Sequence, residues 1–521
     1  MAKKEVKVTE EQKKETKTAK TIQAKEKVTA KATTEKKPAT KKTETEKKPA
    51  TKKPETEKKP EKKTATEKSG KKDAEKKVSE KKTSEKKVSE KKTTGKKIDK
   101  KIAEAPEIAA GDLKFDVTPV KSVLFVASEA NPYLGSGGLA DVIGSLPKTL
   151  AANGKYDVRV VMPLYGDISD KYRSQMRFLM NFNVPLAWRN QYCGVFSLKA
   201  DGVTFYFIDN EYYFKRSGLY GFYDDGERFA YFSKAALEMM VHLDYYPEIL
   251  HCHDWQTALS VVYLKTLYAN RYGYDHIKAL FTIHNIEYQG KYGYDCLGDL
   301  FGLPESVKPA LDYDGCLNLM KGAIQFSDRF STVSRMYANE IKNPFFAHGL
   351  QYAICENEFK LTGILNGIDE TVYNPETDEK LFRNYSADDT SGKAVCKKEL
   401  QKMLGLPEKD DAPLISIISR LVPAKGLDLV KCVIEELLAE NVQVVILGKG
   451  EGDYEDYFRM LADRYSGKCR AIIAYNKDLA SKIYSASDIF LMPSKQEPCG
   501  LSQMIACRYG AVPVVRATGG L

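Results

Sequence analysis

From about Phe115 the chain alternates short, continuous apolar runs with longer stretches of helical periodicity, and this rhythm continues to Leu521. The segment KSVLFVASEA reads as a strand entering a glycine turn, and LADVIGSLPKTLAANG as the helix after it, closed by Gly154. VRVVMP, VTFYFID, EILHCHD and ALFTIHN read as further strands. After ILNGIDETVYNP a second set begins with ISIIS, VQVVILG, CRAIIAY, DIFLMPS and VPVVR, with GLSQMIACRYG as the helix between the last two. Uninterrupted apolar strands joined by helices predict α/β architecture, here two doubly wound parallel sheets in sequence. In such sheets chemistry collects beyond the carboxyl ends of the strands.

That rule singles out Glu497, which lies between DIFLMPS and a glycine-led helix start and is suited to accept hydrogen bonds from sugar hydroxyls. Arg420 and Lys425 follow the strand ISIIS just before Gly426. They read either as a clamp for a departing diphosphate, whose growing negative charge fixed cations and helix amides stabilise, or as ordinary surface charges. His253 ends an apolar strand and is placed to contact a bound sugar, and His251 projects to the same side. A metal-binding reading of this pair lacks a third and fourth ligand at standard spacing. His284 and Asn285 end another strand and either line the same crevice or satisfy local backbone groups. The DYD triplet at Asp312–Asp314 is better read as a surface loop than as a metal motif.

Composition changes the picture only at the amino terminus. The net charge of +10 divides into about +17 for residues 1–110 and about −7 for the remainder. The basic part has no aromatic residue before Phe115 and consists of degenerate repeats, TEKKPATKK at Thr34 and Thr45 and SEKK at Ser79, Ser84 and Ser89. Residues 1–114 are therefore expected to be a disordered Lys/Glu/Thr-rich tail without enough apolar surface to offset ordering entropy. A solubilising spacer is the favoured role. Weak, salt-sensitive polyanion binding and attraction to a membrane surface are the alternatives, and specific nucleic-acid recognition is not expected without aromatic or Arg side chains. The sequence holds no signal-peptide core, transit-peptide composition or apolar run of membrane-spanning length, and its ten cysteines show no CxxC pairing. A cytoplasmic chain with reduced thiols is the expectation. Cys499, beside Glu497, is read as a small packing residue near substrate rather than a nucleophile.

Six blocks carry a family resemblance: GSGGLADVIGSLP, ILHCHDWQTAL, FTIHNIEYQG, ILNGIDETVYNP, ISRLVPAKGLDL and PSKQEPCGLSQM, in that order between Lys121 and Leu521. The chain resembles the bacterial-type glycogen/starch synthases, glycosyltransferases of family five that move glucose from ADP-glucose to the non-reducing end of an α-1,4-glucan with retained configuration. The resemblance implies the GT-B fold, two Rossmann-like domains facing a cleft. Residues 115–374 would form the N-terminal, acceptor-side domain and 375–521 the nucleotide-sugar domain. That second domain is expected to be incomplete, because the family continues for several helices beyond RATGGL. No cofactor and no tightly bound metal are implied, ADP-glucose being a substrate.

The resemblance assigns catalytic roles to His253, Arg420, Lys425 and Glu497, and substrate contacts to Gly137, Gly138, Asp141, Asp224, Asn318, Cys499 and Gly500. Gly137 and Gly138 let backbone amides approach a diphosphate. Asp141 is otherwise a helix-start acid, Asp224 a turn residue, and Asn318 a polar member of a helix. One position departs from the family pattern: Gly135 stands where a donor-binding lysine is usual. Rival readings are a UDP-glucose-using synthase of the same fold and a non-catalytic glucan-binding scaffold.

Overall fold

The computed structural model describes residues 121–521, so the Lys-rich repeats and the expectations attached to them lie outside the described residues. In the first lobe nine strands form one sheet: β1 (Lys121–Val126), β2 (Tyr156–Pro163), β3 (Arg177–Leu186), β4 (Arg189–Ala200), β5 (Val203–Asp209), β6 (Ile249–His253), β7 (Lys278–Ile283), and, after a small three-stranded sheet of β8 (Lys291–Tyr292), β9 (Asp312–Tyr313) and β10 (Cys316–Asn318), β11 (Arg329–Thr332) and β12 (Leu361–Gly363). The order in the large sheet is β12-β11-β7-β6-β1-β2-β5-β4-β3. Its strands are parallel from β12 to β5, where crossover helices cover both faces and select continuous apolar runs such as VLFV of β1.

The fully parallel expectation fails at one edge. β3 and β4 form an antiparallel hairpin that joins β5 antiparallel, so the sheet is mixed. Their RFLMNFNVPL and RNQYCGVFSLKA segments are only partly buried, and one-sided burial mixes polar with apolar positions where a doubly covered strand shows an apolar run. The DYD triplet falls on β9 and the turn after it, in the small antiparallel sheet.

The second lobe is a five-stranded parallel sheet, β15-β14-β13-β16-β17, made of β13 (Leu414–Ile418), β14 (Gln443–Gly448), β15 (Cys469–Ile473), β16 (Ile489–Met492) and β17 (Val512–Val515). Alternate side chains feed opposite faces. Ile415, Ile417, Val444 and Ile446 pack with Leu427, Val430 and Ile434 of the helix Leu427–Ala439. Leu414, Val445, Leu447 and Phe490 pack with Leu479 and Ile483 of the helix Lys477–Ala486.

Loops beyond the carboxyl ends of the two sheets touch. Ser334 Oγ, just past β11, donates to the Pro498 carbonyl at 2.7 Å. Glu340 Oε1 accepts from Thr518 Oγ1 and from the Gly519 amide, each at 3.0 Å. Lys148 pairs with Asp369 in the connection between lobes. Among the described residues no helix is long and apolar enough to cross a membrane.

Candidate active site

The second-lobe half of the site is made by two stitched loops. After β13 the chain makes a tight turn, Pro423–Lys425, and enters the helix Leu427–Ala439 through Gly426, whose φ of 67° is left-handed. A Cβ there would lie 2.0 Å from the Pro493 carbonyl oxygen. Only glycine permits that approach, and the amides of Lys495 and Gln496 complete it by donating to the Ala424 carbonyl at 2.9 and 3.4 Å.

The result is a direct pairing: Lys425 Nζ donates to Glu497 Oε2 at 2.5 Å, and Ser494 Oγ donates to the same oxygen at 2.8 Å. Glu497 is 7% exposed, and its Oε1 makes no hydrogen bond among the described residues. One oxygen is thus anchored while the other is open to a ligand. Gly426→Ala is expected to destabilise the chain by roughly 2 kcal/mol and to lower transfer activity, because the new methyl group must part these loops; thermal unfolding and an activity assay on one preparation would check both.

Arg420 lies just beyond β13, exposed and without a side-chain ion pair among the described residues. Cys499 is buried, and loss of solvent pushes its thiol up to about 11 against opposing hydrogen bonds from Asn366, so it is uncharged at neutral pH. Gly500 takes a left-handed φ of 74°, and Gln503 Nε2 donates to its carbonyl at 2.8 Å.

The first-lobe half centres on three imidazoles at the ends of β6 and β7. His253 is 1% exposed and stacks on Phe125 with ring centroids 5.6 Å apart, and the His251 ring lies 4.1 Å away. Its Nδ1 lies 3.0 Å from His284 Nε2, while its Nε2 is buried without a protein partner. Thr257 fixes the backbone at this point: its hydroxyl accepts from the His253 amide at 2.6 Å and donates to the His253 carbonyl at 2.8 Å. Burial holds all three rings neutral, with His251 and His284 pushed down to about 3 and His253 also well below its ordinary value through burial and its two neighbours. His251 Nε2 is engaged with Thr282 Oγ1 at 2.7 Å, which in turn meets Ser331 Oγ at 2.8 Å.

The next residue, Asp254, has φ 56° and ψ −179°, a conformation nearly confined to glycine. Its amide donates to the Thr282 carbonyl at 3.0 Å, and its carboxylate accepts from the His284 amide at 2.7 Å. Burial pushes that carboxyl up to about 7 against these backbone hydrogen bonds. Strain held this firmly beside an unsatisfied imidazole marks a position preorganised for a ligand.

The third element is the glycine loop after β1. Gly137 caps the helix Gly138–Ala152, and a Cβ on Gly138 would stand 3.6 Å from Leu501 Cδ1 of the second lobe. Asp141 in the first helical turn accepts from Asn131 Nδ2 at 2.6 Å and makes no capping bond. Burial raises its pKa, partly offset by Lys477 of the second lobe. An open cavity of about 560 Å³ lined by Asp244, Tyr246, Tyr272 and His276 lies at the other end of the first sheet, among loops that precede β6 and β7.

Residues 122–356 match the family described as starch synthase catalytic domain, and residues 400–521 match glycosyl transferases group 1. A glycogen synthase from Clostridium acetobutylicum is 50% identical over 402 residues, which make up 77% of this chain and 84% of that protein. One from Bacillus cereus is 48% identical over the same shares. Among solved structures, the catalytic domain of starch synthase IV from Arabidopsis thaliana bound to ADP and acarbose superposes with a TM-score of 0.72 at 35% identity, covering 77% of this chain and 84% of that one. The chain belongs to the glycogen and starch synthase family. It is a glycosyltransferase of GT-B architecture.

Two substrate-contact expectations for this synthase meet residues already engaged. Asp224 receives two hydrogen bonds from Arg216, at 2.6 and 2.7 Å, and these outweigh burial to hold its carboxyl below the usual range. Asn318 is not inside a helix: it is fully buried as the cap of the helix Leu319–Phe326, accepting from the Lys321 amide at 3.0 Å and donating to Gln289 Oε1 at 2.8 Å. Sequence reasoning missed Glu129, Asn131, Asp254 and Lys477. Only Asp254 carried a signal, as an acid directly after the strand that delivers His253.

Proposed function

We propose that the chain transfers glucose from ADP-glucose to the non-reducing 4-hydroxyl of an α-1,4-glucan such as glycogen, with retention of configuration, in the cytoplasm. The observation that carries this reading is the Lys425–Glu497 pair, a cation at a helix start clamped to a carboxylate whose second oxygen is open. Support for the substrates comes from the Arabidopsis relative, which binds ADP and acarbose.

In this reading Arg420 and Lys425 hold the diphosphate, with Gly137 and Gly138 offering backbone amides from the opposite lobe. Glu497 Oε1 accepts from glucose hydroxyls, Cys499 and Gly500 line the same loop, and His253 Nε2 meets the sugar beside the reacting carbon. Asp141, Asp224 and Asn318 shape the surrounding wall. The C1–O bond to phosphate breaks as the acceptor O4 bonds to C1, and the departing phosphate oxygen takes the acceptor proton. Positioning and charge stabilisation supply the rate enhancement, and apposed lobes exclude water. Residues 115–374 form the acceptor side and 375–521 the nucleotide-sugar side. Residues 1–114 act as a spacer with at most weak polyanion binding.

Labelled glucose supplied as ADP-glucose or UDP-glucose tests the assignment. Incorporation into glycogen from ADP-glucose is expected to exceed that from UDP-glucose by at least about tenfold, a difference of roughly 1.4 kcal/mol. Reversed preference would establish the UDP-glucose reading, and glycogen binding without incorporation from either donor would establish a scaffold.

A further inference from the structure

The loop that approaches the diphosphate in the proposed reaction carries acids and no cation of its own. Glu129 Oε2 accepts from the Ser136 amide at 2.6 Å and from Ser136 Oγ at 2.8 Å, so a buried carboxylate lies directly beneath the GSGG turn. Asp141 follows in the first turn of the helix. Neither has an ion-pair partner within hydrogen-bonding distance among the described residues. Gly135 cannot be relieved by a side chain, because a Cβ there would stand 2.2 Å from the Ala140 Cβ and 3.2 Å from Asn131 Oδ1. A diphosphate brought over Gly137 and Gly138 therefore meets two acids on this side, which a cation beside the loop, in addition to Arg420 and Lys425, would offset.

The other lobe brings one cation beside this loop. Lys477, the exposed first residue of the helix Lys477–Ala486, places Nζ 3.3 Å from Asn131 Oδ1. The same Asn131 side chain donates to Asp141 at 2.6 Å. The Asn131 amide, 346 residues from Lys477 in the chain, thus joins the loop's carboxylate to an ammonium of the other lobe.

We propose that Lys477 is a donor-recognition residue, supplying from the second lobe the cationic contact to the nucleoside diphosphate that the first-lobe loop lacks at Gly135. The assignment rests on the ADP-glucose reading above. Because the cation and the glycine loop sit on opposite lobes, the contact exists only with the lobes apposed, and binding of the diphosphate favours that apposition.

The test is calorimetric titration of the full chain with ADP and with AMP, alongside KM for ADP-glucose and for glycogen, in wild type, Lys477→Gln and Lys477→Arg. Lys477→Gln is expected to weaken ADP binding and raise the ADP-glucose KM about fivefold, with AMP affinity and glycogen KM changed less than about twofold, and Lys477→Arg is expected to restore the ADP affinity. The loss should shrink as salt is raised. Equal weakening of ADP and AMP, a change in glycogen KM alone, or no change would each overturn the assignment and leave Lys477 a contact between lobes. If the wild type binds no ADP, the ADP-glucose reading falls and this inference with it; if the wild type binds ADP and Lys477→Gln binds it equally, only the role of Lys477 falls.

Discussion

Replacing Glu497 by alanine is expected to reduce glucose incorporation from ADP-glucose on the order of a thousandfold, the largest loss for any single side chain in the second lobe. Two consequences combine. The open Oε1, proposed to hold the donor glucose, disappears. The Lys425 ammonium, 2.5 Å from Oε2 and mostly enclosed, also loses its anchor and its counter-charge. An unpaired cation in that position swings toward water or toward whichever phosphate oxygen is nearest, and the preorganisation of the diphosphate site is lost.

Glu497→Gln separates the two effects. The amide keeps the shape and presents one acceptor and one donor, so it retains a partner for Ser494 but no charge for Lys425. Its expected loss is smaller, about a hundredfold, and falls on kcat more than on glycogen KM. Measuring kcat and KM for both substrates in the two variants decides the matter: if Glu497→Ala keeps more than about a tenth of wild-type turnover, the carboxylate only orders the loop.

The second-lobe geometry was the more legible half because its information is local. The runs ISIIS, VQVVILG and DIFLMPS place three parallel strands, and short loops at their ends leave Lys425 and Glu497 little freedom in where they emerge. Gly426 even records, in its identity, the close approach of the Pro493 carbonyl. The first lobe hid more. The β3–β4 hairpin gave no apolar run because one-sided burial spreads polar residues through both strands. Glu129 looks like an ordinary surface acid until the fold encloses it, and Asp254, although its place directly after the strand that delivers His253 is visible, gives no sign in the sequence of the burial that shifts its carboxyl. Asn318 illustrates the converse, a residue read as a helix member that in fact starts the helix. Lys477 was beyond reach of any local pattern, since its partner lies in the other lobe.

His253 carries the second large prediction. Its Nε2 is the one imidazole nitrogen among the described residues that is buried and unpartnered. Leaving such an atom dry costs about 1–3 kcal/mol, a cost that a water or a ligand hydroxyl at Nε2 repays. His253→Phe keeps a flat ring, somewhat larger than the imidazole, stacked on Phe125 while removing both nitrogens. The relief at Nε2 and the loss of the partner to His284 Nε2 oppose each other, so the melting temperature is expected to move by only a few degrees. Turnover is expected to fall about a hundredfold to a thousandfold, the loss appearing in kcat if the sugar contact strengthens as charge develops at the reacting carbon.

The pH profile adds an independent reading of the same residue. Burial and the neighbouring rings hold His253 neutral, so wild-type kcat should show no ionisation step from this ring between about pH 6 and 8. A wild-type step near 6.5 that disappears in His253→Phe would instead mean that the ring titrates in the working enzyme. Turnover preserved in His253→Phe together with a stable fold would assign the imidazole to packing and move the reacting-centre contact to the strained Asp254 beside it, whose carboxyl is pushed up to about 7.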